Sequence, residues 1–151
     1  MSLFSVLSVS ASGMAAQRAR AEVLVENLAN AETTRTPEGG PYRRKDVVFA
    51  TSTEYSPFAS VFQQEISAAL GRTSPMTGVE VTSVVVDERE PEKIFQPGHP
   101  DADEKGYVAF PNMNPAEDMV YLMGASRGYQ ANVSAMMAVK DMLARSLDLM
   151  R

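Results

Sequence analysis

No cysteine occurs anywhere in the 151 residues, and there is one histidine, His99. The first absence removes disulfides, thiol nucleophiles and thiolate metal sites. It also suits a chain that crosses an oxidising compartment before it folds. A zinc site at His99 would have to be completed by carboxylates alone, and the plainer reading is a loop histidine bonded to backbone. Long apolar runs are missing too. From Met1 to Gln17, ahead of the first charged side chain, Ser2, Ser5, Ser8, Ser10, Ser12 and Gly13 dilute the hydrophobic residues, and no basic residue precedes them. That pattern argues against a cleaved signal peptide and against a membrane span.

Excess positive charge is also lacking. The net charge is −5, and no aromatic-basic cluster offsets it, which argues against a nucleic-acid partner. The acidity is local: residues 51–104 carry three basic and ten acidic side chains, whereas each end of the chain is slightly basic. With 44% apolar and 22% charged residues, the chain has the composition of one ordinary folded domain.

What the chain does have is rhythm at both ends. Leu7, Met14, Ala21 and Leu28 recur every seven residues, and Ser10, Gln17, Leu24 and Ala31 mark the position three further on. Both sets fall on one helical stripe, as in a coiled-coil seam. The rhythm stops at "NAETTRTPEGGPYRRK", where Pro37, Gly39, Gly40 and Pro41 forbid a continuing helix. A second helix starts at "NPAE": Asn114 reads as the N-cap, Pro115 as the first helical residue and Glu117 as the partner that closes a capping box. Met119, Ser126, Val133, Lys140 and Leu147 then recur by seven, with Leu122, Tyr129, Met136, Leu143 and Met150 as companions.

Between the helices the pattern changes. "GVEVTSVVVDE", "KIFQ", "GYVAF" and "DVVFA" read as short strands, and "SPFASVFQQEISAALG" as a short amphipathic helix over residues 57–70. The expected fold class is α+β. Long N- and C-terminal helices (residues 1–34 and 112–151) pair as a discontinuous α-helical coiled-coil domain, and residues 35–111 form a small β-containing insert.

Catalytic chemistry finds no foothold. No Gly-x-Ser-x-Gly elbow exposes a nucleophile, and no glycine-rich phosphate loop follows a strand. "DADEKG" matches a calcium loop at Asp101, Asp103 and Gly106 but fails at Lys105 and Asn112, where oxygen ligands belong. The chain reads as a non-enzyme without a cofactor. The basic cluster "YRRK" (Tyr42 to Lys45) fits either an exposed loop or a contact with an acidic neighbour, such as the middle of an adjacent copy.

The terminal seams are compromised as a private core. Ser126 and Lys140 interrupt the second stripe, and Gly128 weakens its helix by roughly 1 kcal/mol relative to Ala. "SASGMAA" and "GASRG" supply small residues where helices approach closely, and Met136, Met137 and Met142 are adaptable fillers. A face shared among neighbouring subunits accounts for this pattern, and an internal helix pair is the alternative. The positions expected to pack are Leu7, Met14, Ala21, Leu24 and Leu28 on the first helix. On the last they are Met119, Leu122, Tyr129, Val133, Met136, Leu143 and Leu147.

"SGMAAQRARAEVLVENLANAETTRT" resembles the N-terminal signature of bacterial flagellar rod and hook axial proteins, and "ASRGYQANVSAMMAVKDML" resembles their last helix. "GGPYRRKDVVF" and "PGHPDADEKGYVAFPNMNPAEDM" are similar to blocks of the proximal rod members. The resemblance implies a structural protein exported through the flagellar type III apparatus without a cleaved signal peptide. It would assemble in the periplasmic space with copies of itself and other rod proteins into the tubular shaft of the basal body. The resemblance also singles out Asn27, Leu28, Ala29 and Asn30 (Asn-Leu-Ala-Asn) and Tyr129, Ala131 and Asn132 (Tyr-x-Ala-Asn). The competing function is a soluble monomeric helical module that binds an ion or peptide at the loop 98–106.

Overall fold

A computed structural model of the chain describes residues 3–52 and 78–148. Its elements are α1 (Leu3–Ala29), β1 (Lys45–Ser52), β2 (Gly78–Val86), β3 (Glu92–Phe95), β4 (Tyr107–Phe110) and α2 (Pro115–Asp148). The fold is α+β, with two helices and two antiparallel two-stranded sheets among the described residues. The short helix expected over residues 57–70 lies outside the described residues.

Local chemistry sets the helix ends. The Asn114 side-chain oxygen accepts the Ala116 amide at 3.1 Å, so Asn114 caps α2 as its sequence suggests. Glu117 does not close the capping box. Its carboxylate instead accepts the Tyr121 hydroxyl at 2.6 Å, one turn further on. At the end of α1, the Asn30 side-chain amide donates to the Glu26 carbonyl at 2.9 Å and satisfies a terminal acceptor.

The helices pack along each other. Gly13 lies under Asn132, Gly128 lies against Gln17, and the Arg20 guanidinium sits 5.7 Å from the Tyr121 ring. One number rises as the other falls, so the pair is antiparallel. A β-carbon at Gly13 would come within 3.0 Å of the Asn132 side-chain amide, which shows how close the backbones run there.

The line on α2 that meets α1 is Asp118, Ala125, Asn132 and Val139, with Leu122, Met136 and Leu143 half-buried beside it. Within this helix pair the inward line is therefore not the row of Met119 that recurs in the sequence. The row Met119, Ser126, Val133, Lys140 and Leu147 is displaced by one residue, about 100° around the helix. Ser126 and Lys140 therefore sit on an exposed surface and interrupt no internal seam. Counting apolar residues favours the Met119 row. The small side chains of Ala125 and Gly128 and the charge of Asp118 select the other. On α1 the buried side chains are Ser10, Ala16, Leu24 and Asn27, whereas Leu7, Met14, Ala21 and Leu28 are half-buried.

In the first hairpin Lys45 pairs with Val86 and Ser52 with Gly78, and the register slips between Val48 and Phe49. Thr82 is the extra residue, a bulge opposite that step. Without it, the change from alternating to continuous valines would send Val84 and Val86 to the opposite face from Val79 and Val81. With it, all four share one face. The hairpin docks on α1, where the Ser12 hydroxyl accepts the Val79 amide at 3.0 Å and donates to the Val9 carbonyl at 2.8 Å.

The second hairpin pairs Glu92 with Phe110 and Phe95 with Tyr107 and, among the described residues, contacts no other helix or strand. Gly106 closes it at φ +80°, and a β-carbon there would lie 2.9 Å from the Phe95 ring and 3.1 Å from Pro97. Gly106→Ala is expected to add about 1–2 kcal/mol of left-handed strain plus the collision. Amide exchange should then accelerate across residues 92–110 while α1 and α2 keep their protection. Unchanged exchange in the hairpin would show that the turn tolerates a side chain.

Candidate functional site

Two polar joints tie the insert to the helices, and each is centred on one buried polar side chain, Asn27 and Asp118. Asn27 is fully buried near the end of α1. Its side-chain oxygen accepts the Lys45 amide at 2.9 Å and the Tyr42 hydroxyl at 2.9 Å, and its nitrogen donates to the Lys45 carbonyl at 2.8 Å. Lys45 opposes Val86 in a pair whose peptide groups point out of the hairpin. Asn27 therefore occupies the β1 edge as a strand residue would and leaves no buried polar atom unpaired. Burial pushes the Tyr42 hydroxyl up to about 12, with the Glu26 and Asp118 charges adding to the effect. The Lys45 ammonium meets the Glu26 carboxylate at 2.6 Å and completes this joint.

The second joint is an ion pair. Asp118, 1% exposed in the first turn of α2, accepts from Arg44 Nη2 at 2.8 Å and from Nε at 3.1 Å. These hydrogen bonds raise the Arg44 pKa further. The α2 N-terminus adds a favourable partial charge for Asp118. Tyr121 lies between two guanidinium groups, Arg20 at 5.7 Å and Arg44 at 6.0 Å, so α1, α2 and the β1 lead-in converge on one ring. Two members of the basic cluster thus find acidic partners inside the chain, and Arg43 stays exposed. Sequence reading missed Asp118 and Tyr42. The one available cue was that Asp118 keeps seven-residue spacing with Ala125, Asn132 and Val139.

In the loop at 98–106 two of the three acidic side chains are spent on hydrogen bonds within the chain. Asp103 Oδ1 accepts the Lys105 amide at 2.8 Å and the Tyr107 amide at 2.9 Å. The Tyr107 bond is the larger cause of a pKa below the usual carboxylate range. Asp101 accepts the Thr34 hydroxyl at 2.8 Å, and His99 Nδ1 accepts the Asp101 amide at 3.2 Å. Among the described residues no three His, Asp or Glu side chains converge to hold a metal ion. No helix among the described residues is long and apolar enough to cross a membrane.

The remaining feature is a surface. Helix α2 exposes Met119, Val120, Met123 and Met137 away from α1, and Met142 and Leu147 toward its C-terminal end, with Met137 60% and Leu147 65% accessible. Among the described residues the buried apolar core is small by comparison, consisting of Ala16, Leu24, Tyr42, Val108, Ala125 and Val139. An apolar face of this kind, flexible and rich in methionine, is suited to packing against other chains.

Comparison with known proteins gives this surface a context. Residues 104–149 match the family described as the flagellar basal body rod FlgEFG protein C-terminal. Over 153 residues the chain is 39% identical to the flagellar basal-body rod protein FlgC of Bacillus subtilis, covering 99% of each. It is 36% identical to that of Borreliella burgdorferi over 156 residues (100% of this chain, 99% of the relative). With that of Salmonella typhimurium it shares 37% over 149 residues (99% and 98%). The chain belongs to the FlgC family of flagellar basal-body rod proteins. It is a family of structural proteins, not of enzymes.

Membership directs attention to the two motifs, and the FlgC-family chain gives their residues distinct tasks. Asn27 holds β1, and Asn30 closes α1. Asn132 fills the space over Gly13 and donates to the Gly128 carbonyl at 3.0 Å. Leu28 is half-buried, whereas Ala29, Tyr129 and Ala131 are exposed.

Proposed function

We propose that this chain is a structural subunit of the proximal flagellar rod, built into the tubular shaft that transmits torque and encloses the export channel. In this reading the terminal segments, 1–34 and 112–151, form a coiled-coil layer with neighbouring subunits, and the insert 35–111 lies outside it. Partners are further copies, other rod proteins and the type III export apparatus that delivers the chain unfolded, without a cleaved signal, to the basal body in the periplasmic space. The expected seam residues divide between two tasks. Leu24, Leu122, Met136 and Leu143 serve the helix pair, and Met119, Tyr129 and Leu147 are left for neighbours.

One observation carries the reading: the apolar outer face of α2 is exposed although the α1-facing line is filled by other residues. A helix pair held mainly by small side chains is marginal at the ends remote from the polar joints, so full order waits for neighbours to supply buried surface. Met137→Glu is the discriminating variant because Met137 is 60% exposed. The soluble chain should keep its far-UV spectrum, while incorporation into rods and swimming are lost. Normal swimming with Met137 and Leu147 both charged would remove the outer face from consideration.

A further inference from the structure

Two features of the insert are left without a task by helix packing. The first is an aromatic plate on the outer face of the β3–β4 hairpin. Phe95 and Tyr107 oppose each other across the strands with ring centroids 5.3 Å apart in an edge-to-face arrangement. They are 61% and 42% exposed. Lys93 shares their face by strand alternation, and Lys105 is exposed in the adjoining turn. Neither lysine forms an ion pair among the described residues. The plate is held rigidly by Gly106 and by the backbone bonds of Asp103, and rigid aromatic groups lose little freedom on binding. Among the described residues β3 and β4 contact no other helix or strand, and the two rings stay open to solvent.

The second is a groove of about 450 Å³ at the end of the first hairpin, lined by Val85, Val86, Asp46, Glu88, Asp87 and Arg44. Val85 and Val86 are 50% and 44% exposed. Arg44 is engaged by Asp118 and Asp87 by Arg89, which leaves Asp46 and Glu88 to set the sign of the rim. The groove is therefore lined by apolar side chains from the two faces of β2 and by a net excess of acidic ones. The plate is aromatic at its centre, with basic groups beside it and Glu104 the nearest acidic exception.

We propose that the Phe95–Tyr107 plate of one copy seats in the Val85–Val86 groove of a second copy, with Lys93 and Lys105 facing Asp46 and Glu88. The two patches are different, so the contact runs head to tail and repeats around a ring or helix. A two-fold pair would need one patch to match itself. The contact goes beyond the helix layer because it joins inserts to one another.

A chain without cysteine lets the test be direct. Val85→Cys and Phe95→Cys, both at exposed positions, are produced together in motile cells lacking the native copy, and intact rods are then oxidised. The expected result is a disulfide-linked band at twice the chain mass when both variants are present and none with either alone. Assembled rods that give no such band overturn the contact and leave the helix reading standing. A band from Val85→Cys alone overturns it as well, because grooves would then be meeting each other. A charge test does not depend on the disulfide geometry. Lys93→Glu should cut the cross-linked fraction about two- to fivefold, and Glu88→Lys in the same chain should restore it. Losses that simply multiply would remove the ionic match and with it the docking mode.

Discussion

Asp118→Ala is expected to be the most damaging single substitution in the described part of the chain, lowering stability by about 3–5 kcal/mol. The reason is asymmetric. Asp118 is 1% exposed and its partner's side chain is only 19% exposed, so deleting the carboxylate leaves a guanidinium with neither counter-ion nor full hydration. Natural domains have about 5–15 kcal/mol in total, so the variant should approach global unfolding. Urea titration followed by far-UV circular dichroism checks this through the midpoint. Arg44→Leu should cost a similar amount for the converse reason. Combining it with Asp118→Leu should recover much of the loss, since a buried ion pair can be exchanged for apolar packing more cheaply than it can be halved. Additive losses in the double variant would mean that the pair is not energetically coupled.

Asn27→Ala ranks second, at about 2–4 kcal/mol, because it strands three buried partners at once: the Lys45 amide, the Lys45 carbonyl and the Tyr42 hydroxyl. Asn27→Asp separates the contributions. It keeps an acceptor for the amide and the hydroxyl but faces the Lys45 carbonyl with a second acceptor, so it should not rescue. The measurement that distinguishes this joint from general weakening is amide exchange at Lys45 relative to residues in the middle of α1. Selective loss of protection at Lys45 is expected, and uniform loss along α1 would show that Asn27 acts only through helix stability.

These two joints bear on assembly. In the proposed reading the subunit arrives unfolded and must then present its helices in one register. Polar joints are suited to this because their geometry is demanding: Asn27 fits one peptide group, and the Arg44 fork fits one carboxylate. The apolar helix contacts, with methionines and small residues, are permissive by comparison.

How much of this was legible beforehand differs from element to element. Asn114 with Pro115 announces the start of α2, and the run from Pro37 to Pro41 announces the end of helix. Both are local effects of backbone geometry, which short sequence windows record well. The four short strands were legible for the same reason. The Thr82 bulge was not, because a bulge is defined by its partner strand. The capping-box role of Glu117 failed because Tyr121, one turn away, offers the same carboxylate a hydroxyl.

Composition and local pattern settled the α+β class, the two terminal helices and the absence of a thiol or cysteine-based metal site. They did so because propensity, capping and periodicity act over a few neighbouring residues. Only the folded chain decided which line of α2 turns inward, that Arg44 and Lys45 spend their charge on Asp118 and Glu26, and that Asn27 serves as an edge partner for β1. Each of these rests on residues far apart in the chain, such as Asn27 with Tyr42, Arg44 with Asp118 and Gly13 with Asn132, and all but the Lys45–Glu26 pair meet in a largely buried, low-dielectric place. There an unpaired polar group is costly, and the closest backbone approach is set by a missing side chain, as at Gly13 and Gly128.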